Sequence, residues 1–155
     1  MASVKPIPDG YPRVSPYLIV AGASAAIGFY EKILGAKERM RIAGPNGSIG
    51  HAELQIGESV IMLADEHEEM QIRGPKKIGG TPVTIGVYVE DVDKVFDRAV
   101  KEGAKVLRPV QNQFYGDRSG QFEDPFGHHW SVSTHVEDVS PEEMAKRAKA
   151  LEPKP

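Results

Sequence analysis

The segment GQFEDPFGHHWSVSTH, residues 120–135, carries three imidazoles, His128, His129 and His135, within eight positions. Imidazole is the commonest protein ligand for a metal, so the cluster raises a metal site; the other reading is a strand end that happens to hold partly exposed imidazoles. Strand alternation puts His129 and His135 on the face of Ser131 and turns Trp130 to the other, while His128 sits at the turn. A second pair, His51 and Glu53, lies in the run Ser48–Ile56, which a two-residue turn at Gly57-Glu58 joins to Ser59–Ala64. That turn pairs Ile56 with Ser59, Leu54 with Ile61 and Ala52 with Leu63, leaving His51, Glu53, Gln55, Val60, Met62 and Ala64 on the other face. An imidazole beside a carboxylate can share acid–base work, Glu53 as base and His51 as acid, or can ligate a metal. Buried without partners, each would cost about 1–3 kcal/mol, so a partner or a wet face is required. Tyr17 and Tyr88, at equivalent places in two similar segments, offer a flat apolar ring with a hydroxyl, suited to aromatic or amphipathic ligands or to sheet packing. Arg118, between Asp117 and Ser119, could clamp a carboxylate or phosphate, or pair with a surface acid.

The chain that must position these groups has 155 residues, 40% hydrophobic and 26% charged, a single domain by size. A net charge of −3 speaks against nucleic acid as the main partner. The absence of cysteine removes disulfides, thiolate metal sites and cysteine nucleophiles, and fits a reducing interior. No apolar run is long enough for a signal or a bilayer span, so a cytoplasmic protein with no membrane partner is expected. No phosphate-loop pattern follows a strand, and GPNGSIG reads as a hairpin turn.

Two segments repeat one plan: YLIVAGASAAIGFYEKILGAKERMRI (17–42) and IGVYVEDVDKVFDRAVKEGAKVLRPV (85–110). Each has a strand-like run and then an amphipathic helix that stops at Gly-Ala-Lys, with Gly35 and Gly103 as C-caps. Ala23, Ile27, Tyr30 and Ile33/Leu34 share the first helix face; Val92, Val95, Phe96, Ala99 and Val100 share the second. Each half then continues with three strands. The second half includes the polar stretch QNQFYGDRSGQFED before the PFG turn. The expected layout is module one at about 14–64, a polar linker or site lid at 65–82, module two at about 83–135, and a helical tail at 139–151 with Ser140 as N-cap, Pro141 and Glu143.

Two βαβββ modules, with FYEKILGAK in the first and VYVEDVDKVFDRA and DPFGHHW in the second, resemble the vicinal oxygen chelate superfamily of glyoxalases, bleomycin-resistance proteins and extradiol dioxygenases. YGDRSGQFEDPFGHHWSVSTH is similar to its PhnB-like branch. The resemblance implies an α+β fold in which the tandem modules form a cupped mixed β-sheet, with a C-terminal helix in addition. It also implies a small-molecule ligand in the cup and a homodimer. Enzymes of the superfamily usually hold a divalent metal on four His or Glu positions. By register these fall at Ser15, Met62, Thr84 and Ser131, and neutral hydroxyls or a thioether are poor ligands for such metals. Met62 at a cup position implies that His51 and Glu53 face the cup as well.

The expectation is therefore a small-molecule binding protein without metal or other cofactor. Its ligand-facing residues are Tyr17, His51, Glu53, Met62, Thr84, Tyr88, Arg118, His129 and Ser131. The alternative is a metal-dependent lyase, isomerase or dioxygenase of glyoxalase type, with a displaced site at His51 and Glu53 aided by His129.

Overall fold

The computed structural model describes residues 4–152, and the chain divides into two compact units. One unit runs up to Pro82 and takes in Pro125–His128. The other comprises Val83–Asp124 and the chain from His129 onward.

The first unit holds β1 (Tyr17–Val20), α1 (Ala23–Leu34), β2 (Lys37–Ala43), β3 (Ile49–Ile56) and β4 (Ser59–Asp65), with a single 3-10 turn at Pro45–Gly47 between β2 and β3. Its strands lie in the order β1-β4-β3-β2, β1 parallel to β4 and the rest antiparallel. Leu18, Val20, Ala52, Leu54 and Leu63 are buried on one sheet face, and α1 turns Ala23, Ala26, Ile27, Tyr30 and Ile33 into the core, as its 3.6-residue pattern requires. Gly35 ends α1 in the left-handed region at φ 63°, where glycine alone carries no Cβ penalty. Gly22 provides no side-chain cap at the other end. Asp65, the last residue of β4, does so from across the sheet. Its Oδ1 accepts the N–H groups of Gly22 and Ala23 at 2.9 and 2.8 Å, and its Oδ2 accepts that of Ile49 at 2.8 Å.

The polar stretch 65–82 is not a structureless linker. It bridges His67 to Ile72 and forms the short helix α2 (Pro75–Ile78). The turn Pro125–His128 packs in this unit too. Phe126 packs edge-to-face with Phe29 and at a tilt to Tyr30, and His128 Nε2 lies 2.9 Å from the carbonyl of Ile19.

The second unit holds β5 (Thr84–Tyr88), α3 (Val92–Lys101), β6 (Lys105–Asn112), β7 (Asp117–Glu123), β8 (His129–His135) and α4 (Pro141–Ala150), with strand order β5-β8-β7-β6. β7 occupies the heart of the polar stretch 111–124, where Asp117, Ser119, Gln121 and Glu123 alternate with Arg118, Gly120 and Phe122. Asp91 caps α3 locally by accepting the N–H of Lys94, and Thr134 Oγ1 accepts that of Val92. Val92, Phe96 and Ala99 are buried as expected. Val100, expected on the same face, lies in the last turn of α3 and is 41% exposed. Ser140 caps α4 through the N–H of Glu143, and Arg147 ties the helix down to Glu137 and to the carbonyl of Phe114.

Two four-stranded mixed sheets, each with its own helix, plus a C-terminal helix, constitute the tandem βαβββ plan. Among the described residues no helix is long and apolar enough to cross a membrane.

Candidate functional site

In the first unit the β3–β4 register is Ala52 to Leu63, Leu54 to Ile61 and Ile56 to Ser59, with Glu53 opposite Met62 and Gln55 opposite Val60. β1 adds Tyr17 opposite Met62, and β2 adds Met40 opposite Glu53 and Ile42 opposite His51. Four strands thus bring Tyr17, Met62, Glu53 and Met40 into one row on one face, with His51 beside it. This is the face opposite the apolar one. The hairpin chemistry expected from Gly57-Glu58 holds, so no one-residue slip turns His51 and Glu53 around.

Glu53 is 5% exposed, deeper than a carboxylate can sit without donors. It has two. Tyr11 Oη donates to Oε2 at 2.7 Å, and His51 Nε2 lies 3.1 Å from Oε1. The bonds from Tyr11 first, and then from His51, hold its pKa below the usual carboxylate range, against the opposing effect of burial. His51 turns its other nitrogen outward, where Nδ1 lies 2.7 Å from Tyr17 Oη and the two rings are tilted at 38°. Burial and the nearby Glu53 charge raise the pKa of Tyr17, keeping its phenol protonated. Tyr11 is itself braced by the Arg39 guanidinium, 4.4 Å above its ring centroid. Tyr17 is 49% exposed, so the chain Tyr11–Glu53–His51–Tyr17 begins at a buried charge and ends at solvent. Tyr11 lies in the proline-rich lead-in, and sequence reasoning assigned it no role.

In the second unit the corresponding face carries Thr84 opposite His129, Gly86 opposite Ser131 and Tyr88 opposite Ser133, continuing to Glu123, Gln121 and Ser119 on β7. Thr84, Tyr88, His129 and Ser131 therefore share a face, and Trp130 points to the other, where it is buried and donates to Asp124 Oδ2 at 2.9 Å. His129 Nε2 lies 3.2 Å from Glu123. Tyr88 donates to Asp117 Oδ2 at 2.6 Å, and Asp117 Oδ1 meets His135 Nδ1 at 2.8 Å. Burial raises the pKa of Asp117, but the bonds from Tyr88 and His135 outweigh it and the net direction is down.

Two expectations need correction. Arg118 does not join the ligand-facing set. It alternates onto the face of Phe122 and Trp130 and grips Asp93 of α3 with two bonds of 2.8 Å. The carboxylate it clamps is the protein's own. Tyr17 opens β1 whereas Tyr88 closes β5, so the two tyrosines share a kind of face but not a position.

The four positions at which the resemblance implies metal ligands carry Ser15, just before β1, Met62 on β4, Thr84 on β5 and Ser131 on β8. Two of these belong to each unit, and none offers an imidazole or a carboxylate. Among the described residues no group of three His, Asp or Glu side chains could hold an ion. Both oxygens of Glu53 are already engaged by donors. The residues do not fit the family's divalent metal.

Residues 12–132 match the model of the glyoxalase/bleomycin resistance protein/dioxygenase superfamily, and the chain belongs to that superfamily. An uncharacterized protein of Mycobacterium tuberculosis, Rv0887c, is 43% identical over 136 residues, covering 86% of this chain and 80% of that one. Protein PA1353 of Pseudomonas aeruginosa has a similar structure, with a TM-score of 0.68 and 25% identity over 81% of this chain and 99% of its own. A PhnB protein of Bacillus cereus, described as a putative 3-demethylubiquinone-9 3-methyltransferase, shares the fold at a TM-score of 0.62 and 17% identity, covering 79% of this chain and 99% of its own.

Proposed function

We propose that this chain binds a small molecule on the sheet face bearing Tyr17, His51, Glu53 and Met62, and that it does so without the superfamily's metal. The observation that carries this reading is the hydrogen-bonded chain from Glu53 to Tyr17. A buried carboxylate has a bonding partner on each oxygen, and the bonds that run from it through His51 end at a half-exposed phenol opposite Met62. Such an arrangement, a few directed polar atoms in an apolar surround, is what orients a ligand. Met40 and Ile42 extend the apolar part of that face along β2. In the second unit, Thr84, Tyr88, His129 and Ser131 are the residues we assign to ligand contact. We take the protein to be a cytoplasmic homodimer of the PhnB-like branch, the form the family resemblance implies.

Two measurements test this. The metal content of untagged protein, loaded with Zn, Ni, Mn and Fe(II) and then desalted, should stay well below one ion per chain. A stoichiometric ion lost in His51→Ala would replace this reading with an enzyme of glyoxalase type at a displaced site. A thermal-shift screen of small aromatic and polar compounds should yield stabilising ligands whose effect Tyr17→Ala removes.

A further inference from the structure

We infer that the Tyr17–His51–Glu53 chain is a receptor for a weakly acidic hydroxyl, a phenol or enol, which it binds together with its proton; this rests on the binding reading above. The direction of every bond in the chain follows from Glu53. An ionised carboxylate only accepts, and its Oε1 faces Nε2 of His51, so that nitrogen carries the ring's proton. With that one proton on the ring Nδ1 is bare, and Tyr17 donates to it. The single proton of Tyr17 is thereby spent inward. What the hydroxyl has left for a further partner, in a residue 49% exposed, is a lone pair.

A ligand that donates an O–H to Tyr17 extends the chain without reversing any bond: ligand to Tyr17, Tyr17 to Nδ1, Nε2–H to Glu53. A ligand with no proton to give meets only an acceptor. An anion can bind only if His51 takes up a proton on Nδ1, which frees the Tyr17 hydroxyl to turn outward and donate. The imidazolium formed would lie against Glu53. Either route leaves the same bound composition, ligand plus one proton. No atom is lost or gained beyond that proton, which comes from the ligand or from solvent. Among the described residues, the titratable and charged groups bonded in this chain around His51 are Tyr17 of β1, Glu53 of its own strand, Tyr11 from the lead-in and, stacked on Tyr11, Arg39 of β2; β4 carries the apolar Val60, Met62 and Ala64 on this face. None of them could replace the ligand's proton, since Tyr11 is committed to Glu53.

Three probes on one nitroaryl frame separate the possibilities in the full-length chain. 4-Nitrophenol has the acidic hydroxyl, 4-nitroanisole lacks the proton, and 4-nitrobenzenesulfonate stays anionic. Calorimetry in two buffers of different protonation enthalpy counts the protons. Below its own pKa, 4-nitrophenol should bind at least about tenfold tighter than 4-nitroanisole, the loss expected for one hydrogen bond; above that pKa it should bind with uptake of about one proton, its affinity falling about tenfold per pH unit. Tyr17→Phe should remove both the uptake and the preference. Equal affinity for the anisole, or phenolate binding with no proton uptake, would overturn the inference. So would ligand-free protein in which long-range proton–nitrogen NMR finds the His51 proton on Nδ1. If the broader thermal-shift screen yields ligands but the phenol is not among the preferred ones, the ligand class fails and the binding reading stands. If the screen yields none, the binding reading fails with it.

Discussion

Single side chains here act through the bonds they must satisfy. Glu53 sits in the protein with a pKa below its ordinary value, so the stability it contributes is present above the unfolded carboxylate range and is lost as pH falls through its folded pKa. Glu53→Gln should therefore flatten the acid limb of Tm against pH, below about pH 4.5, and lower Tm at neutral pH. Unchanged acid sensitivity in that variant would show that other carboxylates govern it. His135 has the opposite sign. Its two nitrogens each lie 2.8 Å from a carboxylate, Asp138 and Asp117, and the bond to Asp138 first, then that to Asp117, raises its pKa. Its contribution is full below the unfolded value, near pH 6.5, and disappears as pH rises through the folded one. His135→Asn should remove a decline in Tm on that alkaline side and, by taking one of its partners from Asp117, also weaken the part of the acid limb that Asp117 supplies.

At the level of elements, the two modules solve one problem in two ways. Each must satisfy the free N–H groups at the start of its helix. Module two uses the helix's own Asp91 together with Thr134 of β8, while module one, which begins its helix at Gly22, relies on Asp65 from the end of β4. Because Asp65 also holds Ile49 of β3, Asp65→Ala frees three N–H groups at once. We expect a loss of about 2 kcal/mol, the upper end for a lost cap, measured by urea unfolding. Asp91→Ala should cost about 1 kcal/mol. Gly120 tests the packing of α3 on β7. A Cβ there would lie 2.7 Å from Phe96 Cε2 and 2.9 Å from Val110 Cγ2, so Gly120→Ala should destabilise by about 1–3 kcal/mol through overpacking. A change within experimental error would mean that the Phe96 ring moves aside freely.

For the whole molecule, the homodimer assigned above predicts a solution mass of twice the 16.9 kDa chain by light scattering. A monomer at micromolar concentration would contradict it. β2 and β6 are exposed almost throughout, and Met40, Ile42, Val106 and Leu107 lie bare on them. Charged substitutions at Met40 and Val106 should distinguish whether either strand is used in association.

Much of this was legible in the residues. The repeat, the glycine stops, the Ser140 cap and the two-residue hairpin follow from local rules that act over a few positions, so the elements and the His51–Glu53 face could be read directly. The absence of imidazole or carboxylate at Ser15, Met62, Thr84 and Ser131 is likewise a property of the sequence. What tertiary structure alone decided is who partners whom. Tyr11 reaches Glu53 across 42 positions, and Arg118 is drawn to Asp93 across 25. The turn at Pro125–His128 packs with the first unit rather than with the strands it joins. A buried charge or an aromatic ring takes whichever partner the folded chain brings within reach, and periodicity along the sequence carries no record of that distance.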